Sequence, residues 1–246
     1  MRKLRCDVAA VAALLVACLS YSDALAKDEP VKVAVEPKTT RNDVSKIINA
    51  SRAFKEISAI PKRKIPPVVL KEAGAVVIVP KASKNAFMVS GGKTGGVLLV
   101  RDKDGGWSSP VFINISGGTL GWQIVGDPMD IVLLFKSSKH IDAILKSKLT
   151  LDAKVKIVPG WVALTMKGAS KEVLGAEIAS YVLSHGAFVE EAVVAGTTLQ
   201  TDAAANEAFY GTPKIDAAEI LSGKVTKTSE EVTALRKLLT DYAAVK

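Results

Sequence analysis

Apolar residues recur at Val44, Ile47, Ile48, Phe54 and Ile57 with helical spacing, which predicts an amphipathic helix of about four turns from Asn42. Pro61, Pro66 and Pro67 end it, and Lys62-Arg63-Lys64 sits between these prolines. A short helix from Pro67 to about Gly74 follows, with proline at its start and glycine at its end. The period then changes. Residues 75–79 are β-branched and apolar, and 86–90 and 97–101 read as strands around the glycine-rich 91–96 (GGKTGG). Asp104-Gly105-Gly106 predicts a hairpin leading into a strand over 107–115, and Gly117-Gly118 a turn before 119–125. A strand over 131–135, a helix over 138–146 and an alternating strand over 149–158 follow. Residues 177–183 and 188–199 read as a hairpin about Ser184-His185-Gly186, and 203–209 and 215–221 as short helices. At the end, Thr228 with Glu231 predicts a capping box, and Val232, Leu235, Leu239 and Tyr242 form one helical stripe.

Short strands joined by tight turns, with helices at both ends, predict an α+β fold. The core is a mostly antiparallel β-sheet or barrel, flanked by N- and C-terminal amphipathic helices. No linker interrupts residues 41–246, which read as one domain.

The first 26 residues read as an address instead. Arg2, Lys3 and Arg5 precede an uncharged apolar run over 8–19, too short to span a membrane, and Ala24-Leu25-Ala26 has the small-x-small form of a secretory cleavage site. The style is bacterial. A second route competes with cleavage there. Leu15-Val16-Ala17-Cys18 has the form of a lipobox, in which Cys18 would be lipidated and become the mature N-terminus. Residues 27–40, polar with two prolines, read as a tether. The expected location is the periplasm, the exterior or a lipid anchor on the envelope.

The 246 residues carry 33 bases and 25 acids, a formal charge of +8 that is too small for a dedicated nucleic-acid binder. Cleavage after Ala26 removes three bases and two acids, leaving +7, and removes both cysteines. A disulfide, a thiolate nucleophile and a Cys-ligated metal are then excluded from the mature domain. Candidate chemistry is sparse, and no catalytic residue, metal or cofactor is assigned. The 91–96 stretch contains Gly92-Lys93-Thr94, but a P-loop requires glycine where Phe87 stands. Its overlapping S-x-x-K and K-T-G share Lys93, so they cannot converge on one substrate from two elements. The stretch reads as a connection between strands, with Lys93 and nearby N–H groups able to face an anion. His140 and His185 match no zinc or triad pattern.

The bases are more informative. Lys55, Lys62, Arg63, Lys64 and Lys71 cluster around the proline-rich bend, and Lys136, Lys139, Lys146, Lys148, Lys154 and Lys156 form a second set. Each set reads either as a solvated face or as a surface for anionic lipid headgroups. Aromatic residues do not interleave with them, which argues against single-stranded nucleic acid.

From Val69 to Gly211 the chain resembles the SYLF domain family. The residues that carry the likeness begin with 70–80 (LKEAGAVVIVP), 92–99 and Gly106-Trp107-Ser108-Ser109-Pro110. Gly117-Gly118 with Gly121 and Gln123 comes next, then Asp130-Ile131-Val132-Leu133 and Ser180-Tyr181 with 185–188 (HGAF). Asn206 leading to Phe209-Tyr210-Gly211 completes the series. The resemblance implies binding rather than catalysis: phosphoinositides and other acidic lipids, with actin a partner of eukaryotic members. An exported bacterial chain meets neither ordinarily, so anionic phospholipid is the expected ligand. Lys55, Lys62, Arg63 and Lys64 match the family's lipid contacts by place, and Lys93, Lys136 and Lys139 join them as candidates. The helix over 44–57 either lends its apolar face to the membrane or packs on the sheet. The alternative function is a structural or partner-binding envelope protein, or a carrier of a small hydrophobic ligand, without headgroup specificity.

Overall fold

The computed structural model describes residues 38–60, 64–83, 92–117, 128–137, 139–146, 148–151, 157–159, 177–184, 187–188, 196–225, 227 and 229–245. All belong to the unit Pro37–Lys246. The expected leader with Cys18, residues 27–37 of the expected tether, Lys62, Arg63, and the strands expected over 86–90 and 119–125 lie outside the described residues.

Helix α1 (Lys38–Ala59) starts four residues before Asn42, within the stretch read as tether. Its inner face is Ile47, Ala50, Ala53, Phe54 and Ile57, all fully buried. This stripe packs on the sheet, so it is not available to a membrane. Ile48 falls one position off the stripe and is 52% exposed. Helix α2 (Pro67–Glu72) has Pro66 as its extended N-cap and Pro67 at its first position, where a missing N–H costs nothing.

The strands are β1 (Ala75–Ala82), β2 (Thr94–Val100), β3 (Val111–Gly117), β4 (Met129–Phe135), β5 (Leu149–Thr150), β6 (Ile157–Pro159), β7 (Ile178–Ser184), β8 (Ala187–Phe188) and β9 (Thr197–Thr201). They make one sheet in the order β5-β9-β3-β2-β1-β4-β7-β6, with β8 pairing β7. Among the described strands, only β6 and β7 run parallel. The sheet is curled into a half-barrel, and chain length explains why. Seven peptide steps separate Thr150 from Ile157, a reach of about 25 Å. A flat path of eight strands would put β5 and β6 about 34 Å apart.

The strand expected over 149–158 is therefore two strands, β5 and β6, at the two ends of this path. The hairpin expected over 177–199 is also divided. Only β8 returns along β7, through Leu183↔Phe188 and Ser184↔Ala187, whereas β9 pairs with β3 and β5. Gly196, at φ +79°, turns the chain into β9 and donates to the Leu151 carbonyl at 2.6 Å.

Helices cover both faces. Val76, Ile78, Leu99, Phe112 and Tyr181 face α1, α2, α4 (Ala203–Tyr210) and α6 (Glu230–Ala244). Val77, Val79, Leu98, Ile131 and Leu133 face α3 (Lys139–Lys146) and α5 (Ala217–Leu221). A strand buried on both sides has no polar face, which is why β1 and β4 read as continuous apolar runs. The α+β expectation holds, with both terminal helices on one face. The stripe Val232, Leu235, Leu239 is buried as expected. The cap of α6 is Ser229, whose side chain accepts from Val232 N at 3.3 Å, one residue after the expected Thr228.

Candidate functional site

The candidate bases do not form one patch. Lys55 is exposed on α1, Lys64 in the bend between α1 and α2, and Lys71 on α2. Exposed Lys93 precedes β2, and exposed Lys136 follows β4. Because β1 pairs antiparallel with both strands, Lys93 and Lys136 stand at opposite ends of the sheet, about 20 Å or more apart. Lys139 opens α3 at the Lys136 end. Glu177 is there too, its carbonyl accepting from Lys136 N at 3.0 Å and its carboxylate 3.6 Å from His140 Nε2. Lys71 lies toward the Lys136 end too, since Gly74, three residues on, donates to the Phe135 carbonyl at 2.8 Å, whereas Lys93 stands at the other end of the sheet.

The glycine-rich stretch is not simply a connection between strands. Thr94, Gly95 and Gly96 belong to β2 and pair with Ile115, Asn114 and Ile113. A Cβ on Gly96 would come within 2.7 Å of the Ile78 carbonyl and 2.8 Å of a Val79 methyl. On Gly95 it would meet the Lys46 side chain at 3.1 Å. The glycines let α1 and β1 approach the strand closely.

Several residues that carry the family resemblance hold the fold together. The Asn206 side chain spans one peptide edge of β3, accepting from Phe112 N at 2.8 Å and donating to Phe112 O at 3.1 Å. The Tyr210 hydroxyl donates to the Pro110 carbonyl at 2.7 Å, and Gly211 closes α4 at φ +71°. Arg101 lies over the Trp107 ring at 4.2 Å and donates to the Leu70, Ala73 and Gly105 carbonyls. These side chains are committed to packing, so a binding surface must be sought outside them.

The outer side of α1 carries the arrangement that sequence reasoning missed. Arg52 donates to both carboxylate oxygens of Asp130, at 3.1 and 3.0 Å, and to Glu56 at 2.7 Å. Asp130 also accepts from Lys81 N at 2.8 Å, where the backbone turns at φ +52°. Burial opposes the Arg52 charge, but the hydrogen bonds and charges of Asp130 and Glu56 outweigh it and hold the guanidinium above its ordinary value. The clue in the sequence was Asp130 itself, an acid opening the otherwise apolar strand MDIVLLF, where a buried charge needs a partner. Beside Arg52 runs a groove of about 690 Å³ between α1 and α6. Ile48, Ser51, Arg52, Lys55 and Glu56 form one wall and Glu230, Glu231 and Ala234 the other. Lys55 thus faces acids and does not belong to an all-basic patch.

At the other end of α1, the Tyr242 hydroxyl of α6 donates to the Ile65 carbonyl at 2.6 Å and reaches the Ser58 carbonyl at 3.5 Å. Among the described residues, no group of three or more His, Cys, Asp or Glu could hold a metal ion. No helix of those residues is long and apolar enough to cross a membrane.

The class defined by this architecture is an α+β domain with a curled sheet packed by helices on both faces. Residues 116–242, just over half of the chain, match the family model Ysc84, described as "Las17-binding protein actin regulator". The chain belongs to this Ysc84 (SYLF) family. It is 27% identical over 194 residues to "Protein YSC84" of Saccharomyces cerevisiae, covering 77% of this chain and 41% of that protein. It is 27% identical over 197 residues to "SH3 domain-containing YSC84-like protein 1" of Xenopus laevis, covering 79% and 58%. The human protein of that name is 26% identical over 197 residues, covering 79% and 57%. The chain therefore spans about two-fifths to three-fifths of the length of these relatives.

Proposed function

We propose that this chain is a non-catalytic binding protein of the bacterial cell envelope that attaches to anionic phospholipid headgroups through the bases of the α1–α2 bend. The observation that best supports this reading is the tie made by Tyr242. One hydroxyl engages the backbone at Ser58 and at Ile65. The described residues on either side of Lys62 and Arg63 are therefore tied to α6. Lys64 and Lys71 are exposed. A base near an anionic membrane surface contributes about 1 kcal/mol, so these four would supply about 4 kcal/mol, roughly a thousandfold in affinity. The leader-like residues 1–26 support export, either by cleavage after Ala26 or by lipidation at Cys18. The family model's description is that of a binding protein, which supports the non-catalytic reading. Actin as a partner would follow from the family description alone.

The test is co-sedimentation of the non-lipidated domain with vesicles of phosphatidylglycerol or of phosphatidylcholine. Binding to the first only, weakened by salt and by Lys62/Arg63/Lys64→Glu, is expected. Equal binding to both vesicle types, or to neither, would sink the proposal. Mass spectrometry of the mature N-terminus separates the two processing routes.

A further inference from the structure

The groove between α1 and α6 has features that the lipid reading does not use. Its α1 lining falls at positions 48, 51, 52, 55 and 56, which is the i, i+3, i+4, i+7, i+8 row of one helix face. That row is about 12 Å long, two turns of helix. Ser51 and Ala234 are small and leave room for another backbone to approach. Ile48, one of three exposed large hydrophobic residues among those described, supplies apolar surface at one end. Arg52 is held by Asp130 and Glu56, so its wall is rigid before anything binds.

The charges are uneven across the groove. Arg52 and Glu56 satisfy one another, but among the described residues Lys55, Glu230 and Glu231 have no ion-pair partner. Glu230 and Glu231 lie in the first turn of α6, whose own positive end amounts to about half a charge. Two carboxylates more than offset that, so the α6 wall is net negative and disfavours an anionic lipid. A second copy of the same patch fits poorly, since two concave faces leave a void between them.

From this we infer that the α1–α6 groove is a docking site for a short amphipathic helix of a partner protein. The partner helix carries apolar residues at i and i+4 and Lys or Arg on the flank that meets Glu230 and Glu231. Its two apolar side chains rest over Ser51 and Ala234 against Ile48, completing a three-helix contact. This site is independent of the basic bend.

The test pans a phage-displayed library of 14-residue helix-forming peptides on the whole purified chain, with counter-selection on Ile48→Glu. The best peptide is then synthesised and titrated. Expected are apolar i, i+4 peptides with a basic flank, bound at least tenfold more weakly by Ile48→Glu and by Glu230→Lys/Glu231→Lys. Ile48→Glu should keep the parent's circular dichroism and melting temperature, since Ile48 is exposed. Glu230→Lys/Glu231→Lys should keep the circular dichroism and melt lower, since it puts two bases in the first turn of α6, whose cap Ser229 is retained. Lys62/Arg63/Lys64→Glu should leave peptide binding unchanged. The inference is overturned by recovery of no peptide, by acidic or unpatterned peptides, or by binding indifferent to Ile48→Glu. It is equally overturned if Ile48→Glu instead abolishes a concentration-dependent dimer or binding to vesicles.

Discussion

Arg52 and Asp130 are 78 positions apart, yet both terminal nitrogens of one meet both oxygens of the other, at 3.1 and 3.0 Å. This contact joins the outer side of α1 to the start of β4, and the Lys81 N–H completes it. Asp130→Ala leaves the Arg52 guanidinium with Glu56 alone and strands the Lys81 N–H. We expect a loss of about 2–3 kcal/mol in urea unfolding, kept below the fully buried range because Arg52 is 35% exposed. In a double-mutant cycle with Arg52→Ala the coupling should reach about 1–2 kcal/mol. Additive losses would show that the pair contributes no stability.

Tyr181 is buried on β7, and among the described residues its hydroxyl has no hydrogen-bond partner. Burial pushes its ionisation well above the ordinary tyrosine value. An unsatisfied buried hydroxyl costs about 1–3 kcal/mol, so Tyr181→Phe should raise the unfolding free energy by about 1 kcal/mol. A fall of that size instead would mean that the hydroxyl is bonded in solution.

Gly96 admits no side chain without moving the β1 backbone. Gly96→Ala should cost about 1–3 kcal/mol. Gly105→Ala is the control, because nothing lies within 4 Å of its Cβ position; at φ +84° it should lose only the strain of that backbone, about 1 kcal/mol. Equal losses at both positions would show that close approach to Ile78 and Val79 is not the reason for glycine at 96.

Asp43 is buried, and desolvation raises its carboxyl above the ordinary 3.8, reinforced by Asp202 and only partly offset by Lys46. The sign follows directly. A raised carboxyl binds its proton more readily in the folded state, so the penalty is present at neutral pH and relieved as pH falls through the raised value toward 3.8. Asp43→Asn should therefore raise the melting temperature at pH 7, with the gain shrinking toward pH 4. A loss at pH 7 would mean that the Lys46 bond at 3.0 Å outweighs desolvation.

What could be read from order along the chain was local. The spacing of Ile47, Phe54 and Ile57 marked the α1 stripe, the Pro66-Pro67 pair marked the start of α2, and the run 75–79 marked β1. Such features depend on helical period, proline geometry and β-branching, which act within a few residues. The ordered series from Leu70 to Gly211 likewise pointed to the family.

Tertiary structure decided whatever depends on which distant segments meet. Residues 149–158 look like one strand, but joining β5 to β6 across a curled sheet divides them. The glycines at 95 and 96 look like a loop, but β1 and Lys46 press on them within β2. Ile48 belongs to the same apolar pattern as Ile47, and a rotation of about 100° places one in the core and the other beside the groove. The pairing of Arg52 with Asp130, and of the α1 wall with the acids of α6, had no local trace beyond one charge in an apolar strand. Charge acts through space, and only the fold sets those distances.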